Sequence, residues 1–242
     1  MYSSLKRFFR FRRIAIISAL LFLAGTAIII ASVGSKTSLA MAARQTPPML
    51  LIDAGHGGLD GGAVSSDGVK ESGVNLAIAQ KLHDLCRFLG EACMLTRSGE
   101  ALDYPPEAKT VREKKLWDQN RRIAQVNATE NALLISIHQN LYPDPRPSGT
   151  QVFYAGTEGS QAFAELTHEN LRCHLCPENR RVAVPAKDTI FLLRSIHCPA
   201  ILVECGFLSN PAEADKLTSA EYQTELAAIL CVSYLQFISP LS

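Results

Sequence analysis

Two histidines and two glutamates stand where the sequence pattern places reactive groups. His56 follows the apolar run Met49 to Asp53 within Ala-Gly-His-Gly-Gly, and His138 closes the apolar run Leu133 to Ile137. Both runs read as buried strands that end in polar loops. Two neutral imidazoles plus one carboxylate form a common ligand set for a hydrolytic zinc, with a fourth position left for water. Alone, the glycine-rich loop is ambiguous, because such loops also cradle phosphates. The convergence of two strand-end histidines on one sheet edge favours the metal.

Glu71 is the first choice for the third ligand, since it precedes a helix and a short loop from His56 can return it to the same edge. Asp53, Asp60 and Asp67 are nearer alternatives, and an acid before a helix also complements its dipole. Glu204 ends the apolar strand Ala200 to Val203, where an unpaired carboxylate is costly to bury. Beside an activated water it would serve as a proton carrier. The competing reading is an ion pair with Arg97 or Arg194. Asn140, two residues past His138, either orients substrate or closes a turn. His83, His168 and His174 fall on helices as surface or packing residues, and His197 is given no role.

The elements that must position these groups alternate. Helical spacing covers Val74 to Leu89 and Val111 to Val126, the second with Leu116, Ile123 and Val126 on its inner side. Ala92 to Thr96 and Thr150 to Tyr154 read as strands, Ser160 to His174 as a helix, and Ile190 to Leu193 as a short extended piece. Asn210-Pro211-x-Glu213 is a helix start, with a cap residue, a proline at the first position and an acid at the third. The alternation predicts an α/β single domain with a largely parallel sheet and helices on both faces. In such sheets the site lies at the carboxyl ends of the strands.

Residues 1–13 are basic, with Lys6, Arg7, Arg10, Arg12 and Arg13, and residues 14–33 carry no charge. Twenty residues of helix span about 30 Å, so the segment reads as a transmembrane helix with its basic flank inside and the rest of the chain outside. Ala40-Met41-Ala42 allows a cleaved signal peptide instead. Either reading exports the domain at 49–242, with residues 34–48 as a linker. The net charge of +1 offers no surface for nucleic acid. Seven cysteines leave at least one without an intrachain partner, and Cys173-His174-Leu175-Cys176 lacks a second pair to complete a zinc knuckle.

Four ordered segments resemble the zinc N-acetylmuramoyl-L-alanine amidases of the type-3 catalytic class. They are Leu51-Ile-Asp-Ala-Gly-His-Gly-Gly-Leu-Asp-Gly-Gly-Ala63, Gly68-Val-Lys-Glu71, Ser136-Ile-His-Gln-Asn140 and Pro199-Ala-Ile-Leu-Val-Glu-Cys-Gly-Phe-Leu-Ser-Asn-Pro211. The resemblance implies His56, Glu71 and His138 as ligands of one zinc ion, Glu204 as the catalytic carboxylate, and peptidoglycan as substrate. Ser72-Gly73 and Leu141 depart from the residues common in relatives, which bears on the helix start and on substrate fit. The short form with an N-terminal membrane segment, together with Arg121-Arg122-Ile-Ala-Gln-Val-Asn127, is similar to the sporulation and germination amidases. That subfamily prepares muramic acid for a partner polysaccharide deacetylase during muramic lactam formation in spore cortex. Two rivals share parts of this pattern: a zinc carboxypeptidase acting on the stem peptide, and a non-catalytic wall-binding or activator module. The second would be expected to have lost a ligand or Glu204.

Overall fold

The computed structural model describes residues 48–239. The basic segment, the apolar run and nearly all of the linker lie outside the described residues, as does the expected membrane helix. Among the described residues no helix is long and apolar enough to cross a membrane.

In chain order the elements are β1 (Met49–Ala54), α1 (Glu71–Phe88), β2 (Cys93–Leu95), α2 (Val111–Asn127), β3 (Ala132–Asn140) and β4 (Gln151–Tyr154). There follow α3 (Ser160–Leu175), β5 (Val184–Pro185), α4 (Phe191–Ser195), β6 (Ala200–Phe207), α5 (Pro211–Thr218) and α6 (Ala220–Ile238). The six strands make one sheet in the order β2-β1-β3-β6-β4-β5. β2, β1, β3 and β6 run parallel, whereas β4 runs antiparallel to β6 and carries β5 parallel to itself. The sheet is therefore mixed, largely parallel with one antiparallel pair, β4 against β6. Its cause is the connection after β3: residues 141–150 contain no helix, so the chain re-enters the sheet from the end it left and runs back.

Side chains alternate across the strands, and the two faces differ in kind. Leu50, Ile52, Ala54, Leu133, Ile135, Ile137, Ile201 and Val203 meet α1, α3, α5 and α6 in the larger core. Leu51, Leu134 and Leu202 face the opposite way, against Val126 of α2 and Leu193 of α4. Helices thus cover both faces, as the alternation predicts. Further along that second face the pattern changes from apolar to polar. Asp53, Ser136, His138 and Glu204 continue it at the carboxyl ends of β1, β3 and β6.

Several boundaries shift for identifiable reasons. α1 starts at Glu71 rather than Val74, because its first amides donate to loop carbonyls: Glu71 N to Ala63 O (2.8 Å) and Ser72 N to Gly61 O (3.1 Å). The Ser72-Gly73 departure does not delay it. Residues 191–195 form the short helix α4, not an extended piece. Leu116 is half exposed, and the inner side of α2 is instead Asp118, Arg122 and Val126, at fourfold spacing. Asn210 caps α5 as its sequence requires, accepting from Ala212 N and Glu213 N.

Candidate active site

The structure brings His56, Glu71 and His138 together, with ligand atoms all within 4.8 Å of one another. Glu71 stands between the two imidazoles: Oε2 is 3.3 Å from His56 Nε2 and Oε1 is 2.9 Å from His138 Nδ1. The His56 and His138 rings meet edge to face with centroids 5.0 Å apart. Glu71 is fixed from behind by Ala63 N (2.8 Å), Gln139 N (3.0 Å) and the Asn75 amide (3.3 Å), each a donor to its carboxylate. Asn75 in turn donates to Gly55 O and accepts from Gln139 Nε2. Two imidazoles and a carboxylate directed into one small space are a donor set suited to zinc.

Of the alternatives for the third ligand, Asp60 takes a different place. Its Oδ2 lies 2.9 Å from His56 Nδ1, and its Oδ1 is 2.7 Å from Lys115 Nζ. It orients the imidazole so that Nε2 faces Glu71, the usual task of a carboxylate behind a metal-binding histidine. Asp53 is buried beneath the site and accepts from Arg122 Nη1 (2.6 Å), Thr96 Oγ1 (2.7 Å) and Ser136 Oγ (2.6 Å). Asp67 is exposed and joins neither group.

Two buried arginines hold the loop that carries His56. Arg122 donates to Ala54 O and His56 O, and Arg97 donates to Ala54 O (2.9 Å), Gly55 O (3.0 Å) and Ser72 O (2.7 Å). These bonds satisfy carbonyls left over where β1 ends, and they fix His56 at φ 61°, a left-handed conformation that a non-glycine residue adopts only when its surroundings enforce it. Neither arginine was assigned this task from the sequence. The available signal was the fourfold spacing of Asp118, Arg122 and Val126, which places an ion pair on the buried face of α2.

Glu204 is the Cα partner of His138 across the β3–β6 ladder, so both project on the same face. Beyond this pair the register slips before Asn140 meets Phe207. No ion pair to Arg97 or Arg194 forms: Arg97 pairs with Glu100, and Arg194 lies over the Phe191 ring. Glu204 Oε2 is sealed from solvent and has no hydrogen-bond partner among the described residues. Asn140 ends β3, with its carbonyl accepting from Leu208 N (2.9 Å). His83 and His174 lie on helix surfaces, and His168 is packed beneath Arg181 O at 2.6 Å. Cys173 and Cys176 mark the end of α3, and neither joins a metal cluster among the described residues.

The charges respond to this packing. Burial opposes a charge on His56, yet its hydrogen bonds to Asp60 and Glu71 push its pKa up to about 9. Burial also works against an ionised Glu71, but the hydrogen bonds and charges of His138 and His56 hold it well below the usual carboxylate range. Burial pushes Glu204 up to about 7, opposed by the His138 imidazole and reinforced by Glu71. A histidine whose folded pKa is raised contributes stability that is complete below its ordinary value near 6.5 and is lost as pH rises through about 9. Zinc affinity runs the other way, because the ion competes with that proton. The melting temperature of the metal-free protein is expected to fall between pH 6.5 and 9 while zinc binding tightens. A melting temperature unchanged across this window would reject the assignment.

Gly55 provides a steric test of the same geometry. A Cβ there would lie 2.3 Å from His138 Nε2, so Gly55→Ala must displace the imidazole. We expect zinc affinity to fall about tenfold or more, measured by competition with a chelating dye. Gly73→Ala, where a Cβ meets nothing within 4 Å, is the control and should retain the ion.

Comparison with known proteins agrees with this fold. The family model for N-acetylmuramoyl-L-alanine amidases matches residues 50–233. The germination-specific N-acetylmuramoyl-L-alanine amidase of Bacillus subtilis strain 168 is 32% identical over 192 residues, covering 79% of this chain and 80% of that protein. Among solved structures, the CwlD amidase of Clostridioides difficile in complex with the GerS lipoprotein superposes with a TM-score of 0.76 at 32% identity. That match covers 79% of this chain and 98% of the other. An N-acetylmuramoyl-L-alanine amidase from Clostridium difficile 630 gives a TM-score of 0.70 at 25% identity, covering 82% and 100%. A family match over residues 50–233 and 32% identity to an amidase covered over 80% of its length show that this chain belongs to the N-acetylmuramoyl-L-alanine amidase family and is an enzyme of that class.

Proposed function

We propose that this amidase uses one zinc ion, held by His56, Glu71 and His138, and Glu204 as proton carrier, and that its substrate is the peptidoglycan of spore cortex. The observation that carries the mechanism is Glu204: a carboxylate beside a ligand histidine, with one oxygen buried and unpartnered. Burial of that kind is costly in a purely structural role. Zinc, when bound, supplies a Lewis acid that polarises the lactyl carbonyl and lowers the pKa of water at the site.

The chain's own residues do the rest. Glu204 takes a proton from the attacking water as its oxygen adds to the carbonyl carbon. Glu204 then gives the proton to the L-alanine nitrogen as the carbon–nitrogen bond breaks, leaving a carboxylate on muramic acid and a free amine on the stem peptide. Asp60 holds the His56 ring, and Lys115 holds Asp60. Asn140, two residues past His138 at the end of β3, is proposed to orient the substrate.

The spore role is supported by the likeness to a germination-specific enzyme, and a second likeness is to an amidase solved with a lipoprotein bound. In this reading the N-terminal segment at 14–33 anchors the chain in the membrane or is cleaved, the domain acts outside the cytoplasm, and a polysaccharide deacetylase consumes the product. A lipoprotein partner is a further expectation from the same likeness. The test is mass spectrometry of cortex peptidoglycan digested by the zinc-loaded protein, against a chelated control. Intact stem peptides with a free L-alanine amine, lost on chelation, support the proposal. Shortened stems would replace it with the carboxypeptidase reading, and no products at all would point to a required partner protein or to the binding or activator module.

A further inference from the structure

We propose that Cys86 of α1 and Cys231 of α6 are a site of covalent modification, forming an intrachain disulfide when the chain folds in the presence of a disulfide donor. The two sulfurs are 3.6 Å apart although the residues are 145 positions apart in sequence. Both are buried in the larger core, at 0% and 3% exposure. Among the described residues no second pair of sulfurs makes such a contact. α1 and α6 pack along one another, so the contact stands in a rigid interface rather than at a mobile edge. Closing it requires the sulfurs to approach to about 2.05 Å, a modest shift for side chains already facing one another.

The chemistry is thiol–disulfide exchange with a low-molecular-weight or protein disulfide. One of the two thiolates attacks one donor sulfur and expels the other as a thiol. The second protein thiolate then attacks the protein sulfur of the mixed disulfide and expels the second donor thiol. Two protein thiols are oxidised by two electrons, the donor disulfide is reduced to two thiols, and both protons leave with it. Because the folded pair is shut off from solvent, the exchange belongs to folding, before α6 closes over α1. A loop of this length removes substantial disorder from the unfolded chain.

The test is to refold the reduced full chain in a glutathione redox buffer, block remaining thiols with N-ethylmaleimide, and map tryptic peptides without reduction. Cleavage after Arg87 separates Cys86 from Cys93, and cleavage after Lys216 separates Cys231 from Cys205, so each pairing is distinct. The expected product joins peptide 82–87 to peptide 217–242 with the loss of two hydrogens. Reduction should lower the melting temperature of the oxidised protein by on the order of 10 °C. The variant carrying both Cys86→Ala and Cys231→Ala should melt at the same temperature with or without reductant. Alkylation of both Cys86 and Cys231, or pairing of either with Cys93, would overturn the proposal. The peptide map decides the matter even if the variant fails to fold.

Discussion

Replacing Glu204 by Gln is expected to lower turnover about 10²–10⁴-fold while leaving the ligand set able to hold zinc. The amide keeps the size and shape of the carboxylate but neither takes a proton from water nor returns it to the departing nitrogen. Since Glu204 sits beside His138 rather than among the three converging donors, metal content measured by plasma mass spectrometry should be unchanged. A second effect runs against the loss. The carboxylate's pKa is raised to about 7, so the penalty for ionising it in the folded protein is absent below its ordinary value, grows as pH rises, and is complete above 7. The metal-free variant should therefore be more stable than the parent at pH 8, by up to about 3 kcal/mol. Loss of zinc from the variant, or retained activity, would remove Glu204 from its role.

Arg122→Met is expected to be the most damaging single change to the fold among the residues discussed. It leaves Asp53 and Asp118 as buried carboxylates without their shared cation, and frees the carbonyls of Ala54 and His56. Breaking a buried pair from one side costs about 3–5 kcal/mol. Urea titration should show that loss, and the surviving folded protein should bind zinc more weakly, because His56 no longer has its loop held. Asp118 keeps its pair with Arg121, so adding Asp53→Asn alone should recover part of the stability, by neutralising the stranded acid, without recovering metal affinity. If zinc affinity returned with stability, the arginine would be a packing residue with no part in positioning His56.

The sequence made the site partly legible, and the reason differs by residue. His56, His138 and Glu204 each end an apolar strand, and in an open α/β sheet that position is enough to predict a shared edge. Glu71 lacked such a marker. Its spacing made it the first choice but left Asp53, Asp60 and Asp67 open, and the family resemblance separated them. The arginine clamp stayed hidden because Arg97 and Arg122 resemble the surrounding surface charges, and only burial at 5% and 4% exposure distinguishes them. Leu116, the apolar residue expected in their place, points to solvent. The reversal of β4 was equally invisible, since strand direction depends on how the chain returns rather than on which residues it contains. α6 carries apolar residues nearly all round, as in Ala227-Ala-Ile-Leu-Cys-Val232, so no one-sided stripe announced it.

The hydroxyl of Tyr234 donates to Pro48 O at 3.2 Å, so the last helix grips the first residue the structure describes. Pro48 leads into the amino end of β1, and the reactive groups gather at its carboxyl end, a six-residue strand, or about 20 Å, away. Whatever restrains the chain at its point of entry consequently pulls on the end of the sheet remote from the chemistry. The hydrogen bond from Tyr234 shares a load at Pro48 with α6 and the larger core, so that load does not fall on β1 alone.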